Sequence, residues 1–90
     1  MSQRRNKVEI IYDILSLIQR KGGKVKPTHA LYGGNLSYER LKSYIKEMDE
    51  KGLVTVVQEN GNTFYKITEK GHDFVTEFKR IKEITEAFGL

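Results

Sequence analysis

Apolar residues recur along the chain in two rhythms, and the change of rhythm divides it. From Asn6 to about Arg20 they fall at helical spacing. Asn6 followed three residues later by Glu9 has the form of a capping box, and Gly22–Gly23 stops the run. Two stripes share this helix. Val8, Ile11, Leu15 and Ile18 form one; Ile10, Ile14 and Leu17 form the other. Together they are wider than the stripe of an ordinary surface helix. One edge is assigned to the domain core. The other, Ile10, Ile14 and Leu17, is assigned to a second subunit in preference to a wide core face.

Lys24–Lys26 reads as a short extended link able to supply one small edge strand. Pro27 suits the first position of a helix, and Thr28–Tyr32 forms a short one. Gly33-Gly34-Asn35 is a turn that needs permissive dihedrals. Ser37 then caps a third helix, Tyr38 to about Lys51, with Leu41, Ile45 and Met48 as its buried stripe and Tyr44 alongside. Gly52 closes it. Two helices separated by a tight glycine turn are the signature of a helix-turn-helix.

After Gly52 the period shortens. Leu53–Glu59 is rich in Val and Thr and reads as a strand; Asn60–Gly61 is the preferred pair for a type I′ turn; Thr63–Ile67 returns, with Phe64, Tyr65 and Ile67 as β-prone bulk. Thr68 caps a last helix to about Phe88. Its apolar positions Phe74, Phe78, Ile81 and Phe88 are spaced 4, 3 and 7, with Val75 and Ile84 flanking and Thr85 where another apolar residue belongs. This is a coiled-coil-like seam of about three heptads, on a helix roughly 30 Å long. The predicted class is mainly α with a small β-hairpin (α+β). Its first part spans 1–67, and the helix 68–90 belongs to the same single domain.

Ninety residues confine the chain to one domain. With 38% hydrophobic and 31% charged residues it is globular rather than disordered. Cysteine is absent, which removes disulfides, thiolate metal sites and a thiol nucleophile. No apolar run approaches the roughly 20 residues of a membrane span, and Met1–Lys7 has no signal-peptide core; a cytoplasmic location is expected. The net charge of +4 is unevenly spread. Residues 1–46 carry ten Lys/Arg against three acids, whereas residues 47–90 carry six against nine. A basic half raises the case for a polyanionic partner such as nucleic acid, with a solvated surface that has no partner as the equal alternative on charge alone.

Asn35-Leu36-Ser37-Tyr38, Leu41, Tyr44-Ile45, Lys51-Gly52-Leu53-Val54 and Tyr65-Lys66-Ile67-Thr68-Glu69-Lys70-Gly71, in this order and spacing, resemble the archaeal winged-helix DNA-binding proteins. Lys7-Val8-Glu9-Ile10-Ile11-Tyr12-Asp13-Ile14-Leu15 is similar as well. Within that group the likeness is nearest to the small dimeric crenarchaeal DNA-binding proteins with a long C-terminal helix. It covers residues 4–88. The resemblance implies a winged helix-turn-helix over 1–67 and a homodimer joined through the C-terminal helices, often as an antiparallel coiled coil. It also implies binding of double-stranded DNA, as a transcriptional regulator or a chromatin-associated, nucleoid-located protein, without a small-molecule cofactor. Thr85 and the shortness of the last helix depart from the pattern and weaken the seam.

On this reading helix 37–51 enters the major groove by its first turns and the hairpin 53–67 is the wing. Tyr38, Lys42 and Ser43 are placed in the groove, with Arg40 and Lys46 reaching phosphates or bases. Ser37 caps its helix, and the backbone around it, like Thr28 at the second helix, can meet a phosphate. Asn60, Asn62 and Lys66 are the wing candidates, and Arg4 and Arg5 a basic arm. Dimer contacts are expected from Ile10, Ile14, Leu17, Phe74, Phe78, Ile81, Thr85 and Phe88. A DNA binder should gather Arg4, Arg5, Arg40, Lys42, Lys46 and Lys66 on one continuous surface. The alternative is a winged-helix protein–protein interaction module, which should expose apolar residues there instead. RNA is a third option, favoured if Tyr32, Tyr38 or Phe64 is exposed on a basic face. Catalysis finds no support. His29 and His72 lie 43 positions apart without cysteine, a poor metal site, and no phosphate loop or nucleophile elbow is present. No cofactor, metal, membrane or small-molecule ligand is indicated.

Overall fold

A computed structural model describes residues 5–90 of the chain; the contact expected of Arg4 lies outside the described residues. The elements follow as α1 (Lys7–Arg20), β1 (Lys24–Val25), α2 (Pro27–Gly34), α3 (Tyr38–Glu50), β2 (Val54–Glu59), β3 (Asn62–Ile67) and α4 (Glu69–Ala87). The predicted class and order hold. At the start of α1 the Glu9 N–H donates to Asn6 Oδ1 at 2.8 Å and the Asn6 N–H donates to Glu9 Oε1 at 3.0 Å. Two backbone donors that a helix start leaves unpaired are thereby satisfied.

Apart from Val8, which is 43% exposed, both stripes of α1 are buried in their own domain. Ile10, Ile14 and Leu17 retain 2%, 0% and 6% of their surface, so the assignment of that edge to a second subunit is corrected. The covering element is α2. Its Gly33 lies so close to the Leu17 side chain that a Cβ there would overlap it. Residues 33–34 remain helical, and the turn into α3 is made by Asn35 in the left-handed region (φ 54°) rather than by a glycine.

The wing is broader than a hairpin. β1 joins it, giving a three-stranded antiparallel sheet in the order β1-β3-β2. The turn Asn60–Gly61 has φ of 52° and 79°, positive at both positions as a type I′ turn requires. The register pairs Val25 and Val56 with Tyr65 and Val54 with Ile67, and these residues face the helices. Alternation turns Lys24, Phe64, Lys66 and Val57 to the opposite face. The core combines this inner sheet face with Ile11, Ile14, Leu15 and Ile18 of α1 and Leu41, Ile45 and Met48 of α3.

Thr68 anchors α4. Its Oγ1 accepts the Gly71 N–H at 3.0 Å and lies 2.6 Å from the Gly52 carbonyl, to which it donates. Gly71 rests directly against the Leu53 carbonyl oxygen. From there α4 runs antiparallel along α1. Gln19 Nε2 is 2.7 Å from His72 Nδ1 at one end, and the rings of Tyr12 and Phe78 are 4.8 Å apart further along. Val75 and Phe78 therefore pack on their own domain, and Thr85 lines a groove with Asn6 and Glu9 at the start of α1.

The expected seam is partly committed to its own domain. Phe78 is half-buried against the Tyr12 ring, Phe74 packs on the core and stacks on Phe78, and Thr85 shares with Ile81 and Leu90 the open groove beside Asn6 and Glu9. Ile81, Ile84 and Phe88 are exposed by 59%, 53% and 77%. With half-buried Phe74 they form a separate flank at spacings 7, 3 and 4. Ile84, expected beside the seam, lies on it. The polar Thr85 lies beside Phe74 and Ile81, with its hydroxyl donating to the Ile81 carbonyl at 2.8 Å.

Candidate nucleic-acid interface

The buried stripe of α3 fixes which residues are left outside. With Leu41, Ile45 and Met48 inward, a rotation of about 100° per residue places Tyr38, Lys42, Lys46 and Asp49 on the flank beside the sheet. Glu39, Ser43 and Glu50 point away from the core, and Arg40, Tyr44 and Glu47 occupy the far flank. Ser37 starts the helix, accepting the Arg40 N–H on its Oγ at 3.3 Å. Its expected role as a cap is therefore also its observed one.

Between α3 and the sheet runs an open groove of about 290 Å³, lined by Tyr38, Lys42, Lys46 and Asp49 on one side and Val56, Thr63 and Tyr65 on the other. Tyr38 is 55% exposed. The Lys42 ammonium stands 5.4 Å from the Tyr38 ring centroid, and the Arg40 guanidinium 5.9 Å from that of Tyr44. Among the described residues Arg40, Lys42 and Lys46 form no ion pair, whereas Glu47 is neutralised by Lys7 at 2.5 Å. Charge is also graded along α3. Residues 38–46 carry three cations and one acid; residues 47–50 carry three acids. The leading half of the helix is the part that can approach a polyanion. At the base of the groove burial pushes the Tyr65 hydroxyl above its usual pKa, and the neighbouring Tyr38 adds to the rise.

The remaining expected site residues divide. Asn60 and Asn62 are exposed at the hairpin tip, and Thr28 is exposed in the first turn of α2. Arg5 is not a free arm. Its Nη1 donates to Asp13 at 2.7 Å and its Nη2 to the Gly34 carbonyl at 2.7 Å, clamping the start of the chain onto the end of α2. Lys66 projects from the sheet face opposite α3, because it sits between the inward residues Tyr65 and Ile67. The single cationic surface expected of these side chains is therefore not formed; Arg40, Lys42 and Lys46 share α3, and Arg5 and Lys66 lie elsewhere. Val56, Thr63 and Tyr65 were not singled out from the sequence. The pairing of Val56 with Tyr65 and of Gln58 with Thr63 sets them on the groove side, and that parity was readable from the turn.

A family model described as winged helix-turn-helix matches residues 4–86. No curated protein sequence matches the chain significantly. Among solved structures, the chain is similar to Sso10a-2, a DNA-binding protein from Sulfolobus solfataricus. The identity is 28% over 93% of this chain and 85% of that one, with a TM-score of 0.82. AF1382 from Archaeoglobus fulgidus matches at 19% identity over 86% of this chain and 87% of that one, with a TM-score of 0.72. The transcriptional regulator BldR from Sulfolobus solfataricus matches at 14% identity and a TM-score of 0.75, over 89% of this chain but only 60% of the regulator. At these two lower identities the likeness is one of fold.

Proposed function

Given that the chain belongs to the winged helix-turn-helix family, we propose that it binds double-stranded DNA as a homodimeric transcriptional regulator or chromatin-associated protein of the cytoplasm. The observation that carries this reading is the leading half of α3. There Tyr38, Arg40, Lys42, Ser43 and Lys46 stand exposed, the three cations without ion-pair partners among the described residues. The DNA-binding character of the similar Sso10a-2 supports it. The first turns of α3 enter the major groove; Arg40 and Lys42 can donate to guanine O6 and N7, and Lys46 lies against the backbone. Asn60 and Asn62 at the wing tip, and the N–H groups around Ser37 and Thr28, meet flanking phosphates. No step of this reading is catalytic.

The homodimer forms through the exposed flank of α4, Phe74, Ile81, Ile84 and Phe88. Residues 1–67 present the DNA-binding surface and 68–90 the dimer surface of one domain. A rival protein-docking role would want an apolar α3 face. The groove offers one exposed apolar side chain, Val56, among cations and tyrosines.

The test is titration of a random duplex across a salt series. The logarithm of the affinity should fall with the logarithm of salt by about 0.9 for each phosphate neutralised. The double substitution Lys42→Ala/Lys46→Ala should reduce that slope by about one phosphate contact's worth, that of Lys46, and weaken binding further through the loss of Lys42 from the groove. Absence of a mobility shift even at low salt would overturn the DNA reading; an unchanged slope in the variant would overturn the placement on α3.

A further inference from the structure

The sheet face turned away from α3 carries its own charge pattern. Register places Lys24 of β1 directly opposite Lys66 of β3. Lys26 follows β1 as the exposed, extended residue that leads into α2. The surroundings of Lys24 and Lys66 are apolar and aromatic: Phe64 and Val57 are paired across the strands and half-buried. The Lys24 ammonium lies 4.8 Å from the Phe64 ring centroid and 2.6 Å from Glu59 Oε1. Lys26 and Lys66 form no ion pair among the described residues. Lys24 and Lys66 thus border a half-buried aromatic floor on the face turned away from the helices, with Lys26 the next cation along the chain, and Glu59 is engaged with Lys24.

We propose that this outer sheet face is a second phosphate-binding surface, which holds the backbone of nucleic acid while α3 occupies a major groove. The inference rests on the duplex-DNA reading and extends it from the wing tip to the outer sheet face, where Lys24 and Lys26 join Lys66. Lys66 and Lys26 supply charges that a phosphate can approach at once. Lys24 becomes available when a phosphate competes with Glu59, an exchange whose cost is small because the pair is exposed. The phosphates come either from the same duplex continuing past the wing or from a second duplex.

The test compares wild type, Lys24→Gln/Lys66→Gln and Glu59→Gln on duplexes of about 12 and about 40 base pairs, roughly one turn and four turns of helix. On the long duplex the double variant should lose about 0.9 of salt slope per cation removed, while affinity for the short duplex stays at the wild-type value. Glu59→Gln should raise long-duplex affinity about threefold, the scale of an exposed ion pair; a merely structural role for the Lys24–Glu59 pair predicts no gain. Capture of a free labelled duplex by a tethered one separates the two sources. Loss of capture in the double variant, with short-duplex binding intact, identifies a second duplex; unchanged capture with a reduced long-duplex slope identifies the same one. If the long-duplex slope of the double variant and the affinity of Glu59→Gln both match wild type, the proposal fails and the α3 reading stands. If wild type binds no duplex at all, both fail.

Discussion

Replacing Gly71 by Ala sets two well-defined effects against each other. Gly71 lies in the first turns of α4, and in a helix Ala is favoured over Gly by about 1 kcal/mol. Propensity alone therefore makes the substitution stabilising. The structure reverses the sign. A Cβ at Gly71 would press into the Leu53 carbonyl oxygen and the Ile67 side chain. The first of these is backbone and cannot rotate away. It is also engaged, accepting the Thr68 N–H at 3.1 Å. Room for the methyl group comes only from lifting the start of α4 off the sheet. Overpacking of this kind costs about 1–3 kcal/mol, and weakening the Thr68 cap adds about 1 kcal/mol. After the propensity gain is subtracted, Gly71→Ala should destabilise by about 1–3 kcal/mol. For a domain of this size each kcal/mol lowers Tm by about 4–8 °C. Urea denaturation at one fixed protein concentration, with the m-value checked for constancy, measures it. A variant as stable as wild type or more so would refute the close approach of α4 to Leu53.

On the α4 flank, Ile84→Lys should shift the monomer–dimer equilibrium toward monomer in light scattering, whereas Thr85→Leu, which adds apolar surface beside Phe74 and Ile81, should shift it toward dimer. Asn35 holds a left-handed conformation (φ 54°) that glycine adopts without penalty; Asn35→Gly should be neutral or stabilising by up to about 0.5 kcal/mol and Asn35→Ala destabilising by about 1 kcal/mol, both read by thermal melting. Burial raises the Tyr65 pKa above 10.0, so the folded state favours the neutral phenol. The unfolded chain then loses its proton first, and this contribution to stability is complete below pH about 10 and is lost as pH rises through the folded value. Denaturation midpoints measured from about pH 8 to about pH 11 should fall at the alkaline end, and Tyr65→Phe should flatten that fall.

Local signals were legible in the sequence. The Asn6–Glu9 box, the Ser37 and Thr68 caps, and the Asn60–Gly61 turn each depend on residues within four positions of one another. The inward stripe of α3 followed from periodicity, and with it the outward set that includes Lys42 and Lys46. What periodicity does not carry is the identity of the covering surface. Ile10, Ile14 and Leu17 read as an unpartnered stripe, yet α2 covers them, because Gly33 lets that helix approach Leu17 closely. The α4 pattern misled in a related way. Phe74 and Phe78 read as heptad positions of a free seam, but both are half-buried in their own domain, Phe78 against Tyr12. The bond from Arg5 to the Gly34 carbonyl spans 29 residues and leaves no trace in local pattern. Lys66 is different. Strand parity from the turn already set it opposite Tyr65 and Ile67, so its separation from Lys42 was readable in principle.

A helix buried along one flank and exposed along an adjacent one sets the strength of the proposed dimer. The exposed flank offers Phe74, Ile81, Ile84 and Phe88, and Phe74 is already half committed to its own domain. Four such side chains remove about 500 Å² per protomer, against about 800 Å² in a standard stable interface. A second copy is therefore held weakly by α4 alone. Duplex DNA changes the balance, because two protomers on neighbouring sites face each other at an effective concentration in the millimolar range. The dimer and the DNA complex then stabilise one another by linkage. Binding isotherms should steepen with duplex length even without sequence preference, and Ile84→Lys should remove the steepness while leaving the single-protomer affinity, which is set by α3, in place.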